Sequence, residues 1–509
     1  MDEEIKEIKK NDTWELAILP IGKKTIGVKW VYKLKKNAKG EVERYKARLV
    51  VKGYSQRQGI DYDEVFGPVA HMEIIRLLIS LAALNQWRIF QMDVKFAFLN
   101  GYFEEELYVE QPIGYVVKGQ EDKVLKLKKA LHGLKQSPRA WNNRIEKYFQ
   151  VNGFFKCPHE HALYYKVHKN GDILIVFLYV DDLTFTGNNP SMFEDFKKAM
   201  NKEFEMTDIG LMAYYLGIEV KWMEDVIFIS QEGYAKYILE KFEMLNSNPV
   251  SNPVECGVKL SKHDDEEKVN PTFFKSLVGS LRYLTCTRPE ILFGVGLVSC
   301  YMEAPTMTHL KTTKRILHYL KGTLDYGLLY SPSKDFKLVV YSDSDWVGDM
   351  DDRKSTTGFG FYMGDIAFTC TSKKQPIVAL YTCEAEYVVV TSGVCRAIWL
   401  RSLLKELQMF QEEAMKIFVD NKSALALAKN PVFHDRSKHI DTRYHFIRES
   451  IARKEDHLDF MKSHDQAADI LTKPLKYDTF NKLQALLGVI KKTSLRGMLE
   501  VNLFLINLS

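Results

Sequence analysis

The longest purely apolar run in the chain, Ile173 to Val180, is eight residues long and ends on two adjacent acids, Asp181 and Asp182. Eight residues fall far short of the roughly 20 that a membrane-crossing helix needs. The run I-L-I-V-F-L-Y-V, rich in β-branched and aromatic residues, reads as a buried strand. A second strand pattern, L-T-F-T-G, follows the acids, so the pair stands at a strand-to-strand turn. Neighbouring carboxylates repel each other unless something offsets the repulsion, and a bound divalent cation does so. On a regular strand the two would point to opposite faces. Only a tight turn directs both to one place.

A length of 509 residues allows about three to four domains. With 46% hydrophobic and 27% charged residues, long disorder, collagen-like repeats and coiled coil are excluded as the main content. The net charge of +5 names no partner, but residues 21–60 hold twelve Lys or Arg against two Glu. That is a footprint suited to phosphate backbones, or else a solvated basic hairpin. Seven scattered cysteines without a C-x-x-C pair imply neither a disulfide framework nor a zinc site, and fit a reducing compartment. The start, M-D-E-E-I-K-E-I-K-K, lacks the apolar centre of a signal peptide. The expectation is a soluble intracellular protein with no membrane partner.

Along the chain, residues 1–20 suggest a short helix that carries N-D-T-W-E-L. Strands are expected on either side of the Asn37–Gly40 turn, then a helix over 72–86 and a strand R-I-F-Q-M-D-V ending near Asp93. A helix follows from about 138 to 151, then strands over 161–167 and 173–187. Residues 252–272, with Pro253, Gly257 and S-K-H-D-D-E-E-K, read as a linker before helices over 272–303 and 306–321. From Phe336 strands and helices mix: L-V-V-Y-S, strands near 357–363 and 366–371, a helix over 383–407, K-I-F-V-D, a helix from 422 and a helical part from 465. That order suggests an α/β domain. The expected division is 1–251, 252–335, 336–485 and a tail, 486–509.

Asp93, at a strand end within M-D-V-K-F-A-F-L-N-G, joins Asp181 and Asp182 as a candidate set for two Mg2+ ions. Residues 13–220 resemble the reverse transcriptase of copia-type LTR retrotransposons. The phrases that carry the resemblance are W-V-Y-K-L-K, Y-K-A-R-L-V-V-K-G-Y, G-I-D-Y-D-E-V-F-G-P-V-A, M-D-V-K-F-A-F-L-N-G, L-H-G-L-K-Q-S-P-R-A-W and L-Y-V-D-D. The resemblance implies a right-hand polymerase with Asp93, Asp181 and Asp182 in the palm, the first two carrying most of the metal ligation. It implies that Phe98 excludes a 2′-hydroxyl, the alternative being a core aromatic, and that Gln136 lies near nucleotide or template, the alternative being a capping Gln. Lys46 and Arg48, two apart on one strand face, are candidates for triphosphate contacts or a solvated strand, and Tyr179 adjoins the acids as a nucleotide-binding candidate.

A second set of acids is Asp343, Glu386, Asp420 and Asp469. Asp343 and Asp420 end β runs, and acids at neighbouring strand ends can build the one-sided cluster that two-metal phosphodiester hydrolysis needs. Residues 336–475 look like the ribonuclease H domain of the same elements, through Y-S-D-S-D-W-V-G-D, D-R-K-S-T-T-G-F, C-E-A-E-Y, V-D-N-K-S-A-L-A-L-A-K-N-P-V-F-H, K-H-I-D-T-R-Y-H-F-I-R-E and A-D-I-L-T-K-P-L. Glu384 and Glu386 lie about 200° apart on a helix, so one of them faces the site. Glu386, which leads into Y-V-V-V, is preferred. The stretch 429–454, with Phe433, Tyr444 and Phe446 among basic residues, is a candidate hybrid contact or a solvated face, and His464 an aid to product release or a surface histidine.

The chain departs from that family at His71, Phe96 and Cys370, where Arg, Thr and Trp are usual. The resemblance implies an RNA-directed DNA polymerase with ribonuclease H activity, the C-terminal part of a Pol polyprotein. Its expected architecture is a multidomain α/β and α+β chain: fingers and palm, a helical connection and a ribonuclease H-like domain. The implied cofactor is Mg2+, two ions per site, with Mn2+ as a substitute. The implied partners are an RNA template, a DNA primer, an RNA/DNA hybrid and dNTPs, in the cytoplasm, a virus-like particle or the nucleus. The alternative is an inactive transposon remnant that only binds nucleic acid.

Overall fold

The computed structural model describes residues 1–36, 42–69, 71–333, 335–364, 366–429 and 442–494. The Asn37–Gly40 turn, Phe433 with most of the basic stretch around it, and the tail beyond 494 lie outside the described residues. Contacts divide the chain into two compact units, Met1–Ala70 with Arg88–Leu211, and His71–Trp87 with Met212–Ser509.

The first unit opens with the helix Asp2–Lys10, which buries Ile5 and Ile8. The helical reading of N-D-T-W-E-L is corrected here. Asn11 ends the helix, and Asp12 takes a left-handed φ of +49°, which Asp tolerates through its short polar side chain. The chain then enters β1 (Trp14–Ala17). A two-stranded ribbon follows, β2 (Val28–Lys36) with β3 (Val42–Val51). Next come β4 (Phe90–Val94), β5 (Tyr102–Val109) and β6 (Val124–Lys129). The helix Ser137–Val151 leads to β7 (Phe155–Lys156), β8 (Leu163–Val167), β9 (Ile173–Tyr179) and β10 (Asp182–Gly187). The helix Pro190–Glu203, capped by the Asn189 side chain, precedes β11 (Met206–Leu211).

These strands form a small sheet, β1-β6-β5, and a six-stranded sheet, β11-β4-β10-β9-β8-β7. The large sheet is covered by the two helices, with Trp141, Ile145, Phe149, Phe193, Phe196 and Met200 buried against Met92, Val176, Leu183 and Phe185. Ile175 and Phe177, on the opposite face of β9 from Val176, are buried as well, which is why the uninterrupted apolar run can be a strand.

The second unit takes in the helix Met72–Leu84, whose residues from Ile74 to Leu84 are all buried. A helix apolar all round belongs inside a core, and this one packs against β15 (Tyr326–Tyr330) and β18 (Ile366–Lys374). One sheet joins β12 (Tyr214–Tyr215), β13 (Ile218–Trp222), β14 (Ile227–Ser230), β15 and β21 (Val489–Lys491) in that order. Division at 251 and 485 is thereby corrected, because backbone ladders tie 227–230 to 326–330 and those to 489–491. Nor is 252–272 a free linker. Val254 and Leu260 are buried, and the Tyr301 hydroxyl donates to the Leu260 carbonyl at 2.9 Å. The helix expected over 272–303 breaks into Pro271–Leu284 and Leu292–Ser299. Pro289 lacks an N–H and keeps Arg288 out of the helical region, at φ −130° and ψ 65°.

The second sheet of this unit has the order β18, β17 (Thr356–Met363), β16 (Leu338–Ser344), β19 (Met415–Val419) and β20 (Asp456–Phe460). The first three strands are antiparallel, and β16, β19 and β20 run parallel. The helix Thr382–Glu406 lies over β16, β17 and β19. It is long and apolar enough to cross a bilayer by composition, yet Val388, Val389, Val394 and Leu400 are buried within the unit. The chain is thus mixed α/β and multidomain, as its sequence pattern predicts.

Candidate active sites

In the first unit, β10 pairs with both β4 and β9, and Asp182 stands directly opposite Asp93 on one side and Tyr179 on the other. Cross-strand partners share a face with Cβ atoms about 4.5–5.5 Å apart, so the ladder itself brings Asp93 and Asp182 together. Asp181 and Val180 make the two-residue turn between β9 and β10. Val180 has a φ of +54°, a strained value for a β-branched residue. The turn is held from both sides: Trp141 Nε1 donates to the Val180 carbonyl at 2.6 Å, and the Val94 N–H to the Asp181 carbonyl at 2.8 Å. Gln91, two residues before Asp93 and so on the same strand face, donates through Nε2 to Asp182 Oδ1 at 3.2 Å. Burial, then the charges of Asp181 and Asp93, push Asp182 up to about 6, against that hydrogen bond.

Phe98 lies in the turn after β4, half-buried, with its ring centroid 5.0 Å from that of His132. Burial, and then Arg48 and Lys46, lower His132 to about 4. Those two side chains sit on the face of β3 that meets Val31 and Lys33 of β2. Gly133 follows His132 with φ +97°, and a Cβ there would stand 2.2 Å from the Val51 carbonyl oxygen. Its lack of a side chain is what lets L-H-G-L press against the end of β3. Gln136 does not join this group: it is only 2% exposed, and its Nε2 donates to the Asp61 carbonyl at 2.9 Å while its Oε1 accepts from Gln56 at 3.0 Å. Its amide braces the loop around Asp61.

In the second unit, Asp343 ends β16 and Asp420 directly follows β19, its parallel neighbour, so both stand at C-terminal strand ends. Glu386 enters from the first turns of the helix Thr382–Glu406. Oxygens of Asp343, Glu386 and Asp420 lie within 4.8 Å of one another, the one such acidic trio among the described residues. Glu386 Oε1 accepts from the Ser344 N–H at 3.0 Å, while its Oε2 is buried with no hydrogen-bond partner. Glu384 is turned elsewhere, and its Oε2 accepts from the Leu380 N–H at 2.6 Å. Burial, then Asp343 and Asp420, hold Glu386 well above the usual carboxylate range. Burial raises Asp343 too, against Lys473 and the Thr472 hydroxyl.

Asp469 is 6% exposed, and burial and Asp343 push it up to about 7, against Lys473. Four further side chains around the cluster are not among the expected site residues. Gln466 Nε2 donates to the Ser342 carbonyl at 2.9 Å and the Phe418 carbonyl at 3.3 Å, tying the two acid-bearing strands together. Gln375 Nε2 ties Ser344 Oγ, at 3.1 Å, to the Ala385 carbonyl, at 3.0 Å. Asp345, two residues after Asp343, is raised to about 6 by burial and by Asp343, against the Thr356 N–H it accepts. Lys473 stands one i,i+4 step from Asp469, and Asp343 and Asp469 raise it against the effect of burial. Of the other candidates, His464 is exposed and paired with Asp465 at 2.9 Å, Tyr444 is buried and Phe446 exposed.

The pattern of the reverse transcriptase (RNA-dependent DNA polymerase) family matches residues 11–256. The Pol polyprotein of transposon TNT 1-94 from Nicotiana tabacum is 40% identical over 498 residues, covering 96% of this chain and 37% of that protein. That of transposon RE2 from Arabidopsis thaliana is 38% identical, covering 96% of this chain and 34% of that protein. A putative transposon Ty5-1 protein of Saccharomyces cerevisiae is 31% identical over 308 residues, 60% of this chain and 99% of that protein. The chain therefore spans about a third of the length of the Pol polyproteins it matches. Among solved structures, a foamy viral protease–reverse transcriptase in complex with double-stranded DNA shares the fold, with a TM-score of 0.50, 12% identity, and coverage of 91% of this chain and 69% of that one.

Proposed function

The chain belongs to the Pol polyproteins of copia-type retrotransposons, with a reverse transcriptase domain, and on that premise we propose two activities for it. It extends a DNA primer on an RNA template at Asp93, Asp181 and Asp182. It cleaves the RNA strand of an RNA/DNA hybrid at Asp343, Glu386, Asp420 and Asp469. The observation that carries the first reading is the register: Asp93 and Asp182 are ladder partners, with Asp181 in the strained turn beside them. The second reading draws support from the acidic trio within 4.8 Å and the buried, unpartnered Oε2 of Glu386, an oxygen whose desolvation a cation would offset.

Both donor sets are carboxylate oxygens, which suit Mg2+ or Mn2+. When bound, such ions lower the pKa of an attacking oxygen and neutralise charge on the leaving one. The protein's own part is placement. Trp141 and Val94 fix the Val180–Asp181 turn, Gln91 orients Asp182, and Gln466 and Gln375 fix the strand and helix ends that present Asp343, Asp420 and Glu386. Lys46 and Arg48 would meet the triphosphate of a dNTP, Phe98 its sugar, and Tyr179 would line the same site. The test is primer extension on an RNA template by the purified chain with Mg2+ or Mn2+. Incorporation that Asp181→Asn abolishes supports the reading. Template binding without incorporation by the unaltered chain favours an inactive remnant.

A further inference from the structure

The four acids of the second unit are unequal in their surroundings. On the Glu386 side, Oε2 is buried and meets no donor. On the Asp469 side a cation is already in place: Lys473 Nζ forms an ion pair with Asp469 Oδ1 at 2.8 Å, an oxygen with no aligned hydrogen bond, and lies 3.6 Å from Asp343 Oδ2. The Thr472 hydroxyl donates to that same Asp343 oxygen. An ammonium thus occupies the space between Asp343 and Asp469, where any cation shared by those two carboxylates would have to sit. It is not rigidly enclosed, because 38% of the Lys473 side chain is exposed and it lines the edge of an open cavity of about 530 Å³. The same cavity is lined by Asp345, Gly348 and Lys374, and its volume leaves room for the side chain to withdraw.

We propose that Lys473 is a positioning residue that competes with a divalent cation for Asp343 and Asp469. A first ion enters at Asp343, Glu386 and Asp420 without displacing the ammonium. A second reaches Asp469 only when the ammonium swings away, so Lys473 sets the ion concentration at which the centre fills. The inference rests on the reading of this cluster as a divalent-ion centre. An ammonium repels a divalent cation brought to the same carboxylate pair, and Lys is suited to such a role because its charge sits on a flexible four-carbon stem.

The test is calorimetric titration of the full chain with Mn2+, in an Asp93→Asn/Asp181→Asn background that silences the other candidate ion site. Lys473→Met and Lys473→Gln remove the charge at similar length, and Lys473→Arg keeps it. Two binding events are expected in the background chain. The weaker should tighten at least tenfold in Lys473→Met and Lys473→Gln and stay weak in Lys473→Arg, with the tighter event changing less. Unchanged or weakened binding of the second ion in the folded neutral variants, whose fold is checked by circular dichroism, overturns the inference while leaving the ion centre standing. Absence of Mn2+ binding in the background chain, or its persistence unaltered in Glu386→Gln, overturns the ion centre and the inference with it.

Discussion

Replacing Glu386 or Glu384 by a neutral side chain separates a group placed for chemistry from one placed for folding. Glu386 is buried among Asp343 and Asp420 and is held well above its ordinary pKa by burial and by those charges. Glu386→Gln keeps its shape, retains an oxygen for the Ser344 N–H and removes one charge from the cluster, so the ion-free protein should be more stable. Cleavage should fall steeply. A lost ion ligand is worth several kcal/mol of transition-state stabilisation, and about 4 kcal/mol corresponds to about a thousandfold in rate. Glu384 behaves in the opposite way. Its carboxylate accepts the Leu380 N–H at 2.6 Å next to the first helical turn, a charge-assisted bond worth about 1.5–3 kcal/mol. Glu384→Ala should therefore lower stability by about that amount. Glu384→Gln, which keeps an acceptor, should lose only about 0.3–1 kcal/mol of helix-dipole interaction. Both Glu384 variants should still cleave. The assay is cleavage of a labelled RNA/DNA hybrid at fixed Mg2+, alongside urea unfolding of each ion-free variant. Cleavage that survives Glu386→Gln but disappears in Glu384→Gln would refute the reasoning. So would loss of stability in Glu386→Gln.

Asp181→Asn should abolish nucleotide addition and leave hybrid cleavage near normal, as primer extension and hybrid cleavage on one preparation will show. Phe98→Val should admit ribonucleotides, read as the ratio of dNTP to rNTP incorporation; an unchanged ratio in an active variant makes Phe98 a core aromatic packed edge-on against His132. Asp345 is raised from 3.8 to about 6 in the folded protein, so its contribution to stability is present below about pH 4 and lost as pH rises through about 6. That rise corresponds to about 3 kcal/mol. Asp345→Asn should therefore stabilise the ion-free protein above pH 6 and flatten its pH profile between 4 and 6; an unchanged profile would show that Asp345 does not titrate there.

The sequence made the central hairpin legible because two signals agreed there, an apolar run long enough for a strand and an acid pair that only a tight turn could use. The same holds for Asp343 and Asp420, which end β-branched runs that become neighbouring parallel strands. Helical periodicity separates Glu384 from Glu386, and the resemblance, in which the acid leads directly into an apolar helical run, selects Glu386. Periodicity predicted that one would face Asp343 but not what the other would do, since the Leu380 N–H that Glu384 binds is a feature of the loop before the helix. The surroundings of Gln136 are hidden for a related reason. Its motif placed it beside the site, but the loop at Gln56 and Asp61 that claims both ends of its amide is some 80 residues away in the chain.

Domain limits were least legible, because a linker-like composition reports local polarity and not long-range pairing. Residues 252–272 mix charged and turn-forming residues with Val254 and Leu260, and those two buried side chains, with hydrogen bonds from Ser261 to Asp351 and from Thr306 to Asp264, bind the segment into the second unit. The strand β21, three residues long, carries almost no pattern of its own and is fixed by its ladder to β15. Lys473 and Gln91 fall between these cases. Gln91 is two residues from Asp93 on a strand, so period-2 alternation alone puts it on the face of the acids. Lys473 is four residues from Asp469, a spacing that suggests an ion pair only on an α-helix, whereas Ala467–Leu471 is a tighter 3-10 turn. The pair forms because Asp343, contributed by β16 from 130 residues earlier, supplies a second carboxylate to the same ammonium. An interaction that needs three groups from two distant segments leaves no periodic trace in either.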